Sequence, residues 1–400
     1  MLKSSRYTRA LLEQEYREVG LPSPVKGSQE IHHLVEQRGT DIVNLSIMTD
    51  QTPPPDVRIA AAQEALKGGY IKNALFVREK IAEYYEKENG TSVDPRTGMY
   101  LTTGSQAALD SAFKLLIEPG DTVLIAEPEY ATYEPMIHFY GGTACFAPLA
   151  LRENAWGFDR TGFKEAITKA KPKLVVLSNP NNPAGYIYRR EDLEVVAELA
   201  IRHSCWLLSD EIWSVLMLRK DLPFVSMGAI QEVRDRLVIT FSSSKAFGMS
   251  GYRTGVVMGP AEFISAMDQV VRFSAQAAPT IGQVAFAEAL DLNKTGSWIE
   301  ERREALRLRV RSGARQLNEF PGVRCAEPES GVFLFPDISG YGMTSLEFAS
   351  CLVKEEGVYV LPGYFYGRHC DSYVRISMAV PQEDYEEGMR RLMAFLRRHG

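Results

Sequence analysis

The stretch SSSKAFGMSGYRTG, residues 242–255, sets one lysine behind three consecutive serines and ahead of an arginine, among small residues. A lysine serves chemistry when its amine is neutral and nucleophilic, which requires burial or a cationic neighbour. The hydroxyls of Ser242 and Ser244, with the guanidinium of Arg253, suit a phosphate monoester, because arginine grips phosphate in a planar fork. Taken alone, a lysine in a serine- and glycine-rich loop is most often an ordinary surface residue. Its meaning therefore depends on what the rest of the chain places around it.

From about residue 100, short β-branched runs alternate with amphipathic segments. DTVLIA (121–126), KLVVLS (173–178), CWLLS (205–209), LVITF (237–241) and GVVM (255–258) read as strands. Near-continuous apolar strands separated by helices predict an α/β fold whose central sheet is mostly parallel and buried on both faces. Ligands of such sheets gather in loops beyond the carboxyl ends of the strands. Residues 282–318 read as one long helix interrupted at NKTGS. Beyond it, VRCAEP, GVFLFPD, GVYVLPG and YVRISMA are strand-like segments mixed with helices. The expected organisation is a large domain over 50–285 and a smaller α+β domain built from 1–49 and 286–400.

Composition narrows the function. The 400 residues carry a net charge of −6, with 45% hydrophobic and 24% charged residues. Such a mildly acidic chain has no electrostatic reason to seek nucleic acid or an anionic membrane. The arginine-rich run ERREALRLRVRSGARQL (301–317) also carries acids and reads as the solvated face of a helix. Five scattered cysteines form no CxxC pair, and six histidines show no HExxH spacing, so neither a disulfide framework nor a metal site is expected. The N-terminal residues contain no apolar signal core, and the cytoplasm is the expected compartment.

Five further segments fall where a parallel sheet would collect ligands. TTGSQAALD (102–110) turns a strand into a helix through Gly104, and a helix starting near Ser105 and Gln106 offers free N–H groups to an anion. EPEYATY (127–133) puts Tyr130 at the mouth of the next strand, where a ring could stack on a flat ligand. SNPNNPAG (178–185) is a rigid loop aiming the Asn182 side chain. SDEIW (209–213) ends an apolar strand on Asp210, a costly place for a carboxylate unless a cation meets it. YVRISMA (373–379) carries Arg375, whose fork suits a carboxylate.

In order and interval, these six segments resemble the class I and II aminotransferases, fold-type-I enzymes that use pyridoxal 5′-phosphate, from about residue 20 to the C-terminus. The resemblance implies that Lys245 forms the internal aldimine, a Schiff base with the cofactor, and that Asp210 pairs with the cofactor's pyridine nitrogen. Asn182 would bind its phenolic oxygen and Tyr130 would stack on its ring. Gly104, Ser105, Gln106, Ser242, Ser244 and Arg253 would hold the phosphate, and Arg375 the substrate carboxylate. LPSPVKG (21–27) resembles the family's segment that folds over substrate, which makes Val25 a substrate contact. A homodimer with shared active sites is implied, with Tyr70 reaching the partner's phosphate.

The sequence also departs from the family's pattern. Trp213 stands where a tyrosine usually helps to hold the phenolic oxygen, and Met48 falls about where a glycine lies beside the substrate. The interval from Tyr70 to Arg78 is shorter than usual. The reading is an aminotransferase for an α-amino acid. The alternative on the same fold is a β- or γ-eliminating, replacing or cyclising enzyme, favoured by Met48 and Trp213.

Overall fold

The apolar runs pair into one sheet because alternate residues of each strand bury opposite faces. The computed structural model describes residues 22–152 and 154–400, leaving out the Val25 side chain. After a short β1 (Val43–Asn44) come β2 (Met99–Thr102), β3 (Thr122–Glu127), β4 (Thr143–Arg152), β5 (Ala155–Phe158), β6 (Leu174–Ser178), β7 (Trp206–Asp210), β8 (Leu237–Ser242) and β9 (Gly255–Met258). The eight strands from β2 onward form a sheet in the order β2-β9-β8-β7-β6-β3-β4-β5. Its central strands β8, β7, β6, β3 and β4 are parallel, whereas β9 is antiparallel to both β2 and β8, and β5 to β4. Leu124, Val175, Leu207 and Ile239 face one core, and Ile125, Val176, Leu208 and Val238 the other. Burial on both faces explains why these strands read as continuous apolar runs.

TACFAPLALR (143–152) forms β4, a strand absent from those expected. The long helix is broken at Leu290–Asp291 rather than at NKTGS. One helix ends at Ala289 and the next runs from Leu292 to Leu317, with the Asp291 carboxylate accepting the Asn293 N–H at 3.2 Å. An aspartate cap starts a helix more effectively than a Gly-Ser pair stops one.

Beyond that helix, β10 (Phe333–Leu334), β13 (Val374–Ser377) and β12 (Leu361–Pro362) make an antiparallel three-stranded sheet, and β11 (Val358–Tyr359) pairs in parallel with β1. VRCAEP contributes only a single bridge, Arg324 to Asp337, rather than a strand. A second core gathers Ile31, Val43, Leu45 and Met48 with apolar residues between Leu306 and Leu396. The helix Leu292–Leu317 joins the two cores, burying Ile299 in the first and Leu306 and Val310 in the second. Its arginines are not merely a solvated face. Arg303 Nε donates to the Val215 carbonyl at 2.7 Å and Arg307 Nε to that of Leu218 at 2.6 Å, tying the helix to the segment that follows β7.

Gly255 opens β9 between Ser242 and Thr102, and a Cβ there would lie 2.7 Å from both Gly104 C and Ser105 N. Gly255→Ala is therefore expected to cost about 1–3 kcal/mol by overpacking. Urea unfolding should show a lower midpoint with an unchanged slope; a variant as stable as the parent would mean that this turn is not tightly packed.

Candidate active site

The carboxyl ends of β7 and β8 carry the two central groups. Asp210, the last residue of β7, is buried, and register places Thr240 of β8 directly beside it. The Thr240 hydroxyl donates to Asp210 Oδ1 and the Tyr133 hydroxyl to Oδ2, both at 2.8 Å. No cation forms an ion pair with Asp210 among the described residues. Burial pushes its carboxyl up to about 6, against the downward pull of those hydroxyls and the Ile212 N–H. A carboxylate in this state is a site for a cationic partner that the chain does not itself provide.

Lys245 sits one turn beyond β8, in the short helix Ser243–Ala246, where the Ser242 hydroxyl accepts the Ser244 N–H at 3.2 Å. Burial, then the positive charges of Arg375, Arg302 and Arg253, bring its ammonium down to about 8. A substantial fraction of the amine is thus neutral near physiological pH, the condition for a nucleophile or a base.

Beside it lies an anion cradle. The helix Ser105–Leu116 begins at Gly104, which has φ +81° and provides no side-chain cap, so the first-turn N–H groups of Ser105 and Gln106 are left for a ligand. Arg253 leans over this turn, its Nη2 3.4 Å from the Thr103 carbonyl, and its side chain is exposed. Ser244, buried next to Lys245, accepts from the Ser250 hydroxyl at its carbonyl, and the Ser250 carbonyl in turn accepts from Arg253. The Ser242 hydroxyl is wholly buried as a helix cap, which limits what else it can hold.

Arg375, on β13, is the second anion site. It is buried, with Nη2 donating to the Ser46 carbonyl at 2.7 Å and Nη1 to Asn182 Oδ1 at 3.3 Å. Its guanidinium lies over the Phe333 ring at 3.8 Å, and Nε has no partner. Among the described residues no carboxylate forms an ion pair with it, and burial lowers its pKa. A buried arginine without a counter-ion is poised for a carboxylate ligand.

Asn182 is held from behind. Its N–H donates to Ser178 Oγ at 3.0 Å, and Ser178 Oγ donates in turn to Glu129, whose carboxyl burial raises to about 8. Tyr130 meets Tyr133 edge to face at 5.4 Å, leaving its own ring half-buried. Trp213 is buried edge-on to Phe333 with its indole N–H unpartnered, and Met48 is buried nearby in the second core. Tyr70 lies apart, 70% exposed on the surface. The Val25 side chain is outside the described residues. Sequence reasoning missed Tyr133, Thr240, Ser46 and Arg302. Only Tyr133 had a local signal, three residues after Tyr130 in the same motif.

The family model for class I and II aminotransferases matches residues 41–392. The chain belongs to that family. It is 30% identical to an aspartate aminotransferase of Pyrococcus abyssi over 362 residues, 89% of this chain and 92% of that one. It is 29% identical to aromatic-amino-acid aminotransferase 2 of Thermococcus litoralis over 361 residues, again 89% of this chain and 92% of the relative. Among solved structures, the aspartate aminotransferase from Thermus thermophilus with maleate superposes with a TM-score of 0.86 at 29% identity, covering 98% of this chain and all of that one. This family member is an enzyme of the transferase class, and no helix among its described residues is long and apolar enough to cross a membrane.

The raised carboxyl of Asp210 makes a stability prediction for the chain without ligand. The unfolded chain releases this proton near 3.8, whereas the folded chain keeps it up to about 6. Between those values the folded state binds more protons, so stability falls as pH rises through the window and then levels off. Asp210→Asn removes this dependence. Its stability relative to the parent should increase between pH 4 and 6 by on the order of 3 kcal/mol, at 1.36 kcal/mol per unit. Denaturant unfolding across that range checks it; a constant difference would place the Asp210 carboxyl near its ordinary value.

Proposed function

We propose that the protein is a pyridoxal 5′-phosphate-dependent aminotransferase acting on an α-amino acid, with Lys245 as the residue that bonds the cofactor. The observation that carries the reading is the buried Asp210, held by the Tyr133 and Thr240 hydroxyls with no cation, together with a lysine whose ammonium burial and nearby arginines bring down to about 8. The described residues fit this cofactor: a carboxylate suited to a protonated ring nitrogen, an exposed arginine and an uncapped helix start for a phosphate, and an orphaned indole N–H on Trp213 for a ring oxygen. When bound, the cofactor supplies an electron sink for the pair left behind as the substrate's α-proton departs.

The chain's own groups would do the rest. The Asp210 carboxylate holds a proton on the ring nitrogen, with Tyr133 and Thr240 fixing both of its oxygens. Arg375 grips the substrate α-carboxylate, and the Asn182 amide, braced through Ser178 and Glu129, sets the angle of approach. The Lys245 amine would take the proton from the substrate's α-carbon and release it two atoms away, at the carbon on the far side of the substrate nitrogen. Gly104, Ser105, Gln106, Ser244 and Arg253 hold the phosphate, Ser242 shapes their loop, and Tyr130 covers the ring.

Assembly and location belong to the same proposal. Leu66 and Phe273 are each 90% exposed and Ile281 is 40% exposed, all apolar, on helices around the exposed Tyr70. That surface suits a second copy of the chain, with Tyr70 offered to the partner's phosphate. All five cysteines are free thiols, in keeping with a reducing cytoplasm.

Two readouts test the function. Lys245→Ala should still take up the cofactor through its phosphate, yet yield no borohydride-stable adduct on the peptide containing residue 245. An adduct on any other lysine would sink the assignment. In the parent, incubation with amino acids should give the matching oxo acid and pyridoxamine phosphate by mass. Ammonia or a cyclised product would instead support elimination or cyclisation, the alternative that Met48 and Trp213 favour.

A further inference from the structure

A cleft of about 480 Å³ lies outside the active site, and none of Lys245, Asp210, Asn182 and Arg375 lines it. Its volume falls in the range of small-molecule sites. One side is apolar and aromatic: Ala184, Tyr186 and Leu218, each nearly sealed, and the half-buried Trp156 of β5.

The charged groups around it fall into two sets. Most engage one another. Arg219 grips both oxygens of Asp221, at 2.8 and 2.5 Å, and Arg189 both oxygens of Glu329, at 2.9 and 2.5 Å. Arg307 holds the Leu218 carbonyl at 2.6 Å, and Lys220 lies 3.4 Å from Glu304. Arg311 and Glu327 remain. They line the cleft and are exposed, yet among the described residues neither forms a hydrogen bond or an ion pair, with the other or with any other group. A lone exposed charge is simply solvated. Two of opposite sign on one cleft, unpaired and beside an aromatic wall, match a ligand that carries both charges and an apolar group.

The cleft also borders the supports of the active site. The Glu329 and Ser330 N–H groups both donate to the Gly185 carbonyl at 3.0 Å, three residues beyond Asn182, and the Leu218 N–H donates to the Glu329 carbonyl at 2.9 Å. Trp156 packs on Tyr373 at 5.8 Å, two residues before Arg375.

We propose that this cleft is a second binding site, separate from the one at Lys245, for a free α-amino acid with an apolar side chain. Arg311 takes its carboxylate and Glu327 its ammonium, while Trp156, Ala184 and Leu218 receive the side chain. The occupant adds a bridge between the long helix and the segment that holds Gly185.

Isothermal titration of the cofactor-loaded protein, reduced with borohydride and kept in saturating propionate, reads this site alone. No amine can then react at Lys245, and Arg375 is already met. The probes are L-phenylalanine, 3-phenylpropionate and 2-phenylethylamine, which present both charges, the carboxylate only and the ammonium only. L-Phenylalanine should bind with a Kd below about 1 mM, and at least about tenfold more tightly than either of the others. Arg311→Gln and Glu327→Gln should each weaken it at least about fivefold, a modest effect because both groups are exposed. Propionate affinity should stay within about twofold of the parent in both variants. No binding of L-phenylalanine, equal binding of the three probes, or L-phenylalanine binding unchanged in both variants would each overturn the proposal. The comparison of probes decides the matter in the parent even if a variant does not fold. Failure of the aminotransferase reading looks different, since Lys245 would then carry no borohydride-stable adduct.

Discussion

A carboxylate buried at the end of a parallel strand, with two hydroxyls but no cation, is the feature around which this active site is arranged. Asp210 is held on both oxygens by Tyr133 and Thr240, and burial still outweighs those bonds enough to raise its carboxyl to about 6. Lys245, one strand along, is displaced in the opposite direction by burial and by three guanidiniums, to about 8. Each group is thus brought within about a unit of neutrality, where a positioned acid or base works best. The site is therefore incomplete in a definite sense. It asks for a cation at Asp210, an anion at Arg253 and the helix start at Ser105, and a carboxylate at Arg375.

The second core serves this arrangement mechanically. Asn182 and Arg375 come from distant parts of the chain and meet at 3.3 Å, so the loop after β6 and the strand β13 must be held in register. Ser178 and Glu129 brace the first, and pairing of β13 with β10 and β12 braces the second. The helix Leu292–Leu317 spans both cores, and its arginines clamp the segment after β7, where Trp213 lies. A change in how the two cores meet would move Arg375 and Arg302 relative to Lys245.

Much of this was legible in the sequence, for identifiable reasons. Strands β3, β6, β7 and β8 could be read because both faces are buried, which leaves no polar interruption. β4 was missed because it lies next to the edge, with exposed Thr143 and Pro148 breaking its pattern. Tyr130, Asn182, Asp210 and Lys245 could be picked out because each stands at or just beyond the end of a strand. Thr240 and Ser46 could not be found in the same way. The hydroxyl of the first reaches Asp210 only through cross-strand register, and the second acts through its carbonyl, so neither shows in the local sequence. Arg302 was hidden in a run of arginines whose separate partners only the folded helix distinguishes.

The account's central claim is that Asp210 meets a cationic ring nitrogen. The direct measurement is nitrogen-15 NMR of enzyme reconstituted with pyridoxal phosphate labelled at that nitrogen. The account predicts a protonated pyridinium resonance in the parent throughout pH 7–8, and an unprotonated one in Asp210→Asn. An unprotonated nitrogen in the parent at pH 7 would contradict it, leaving Asp210 a buried structural carboxylate.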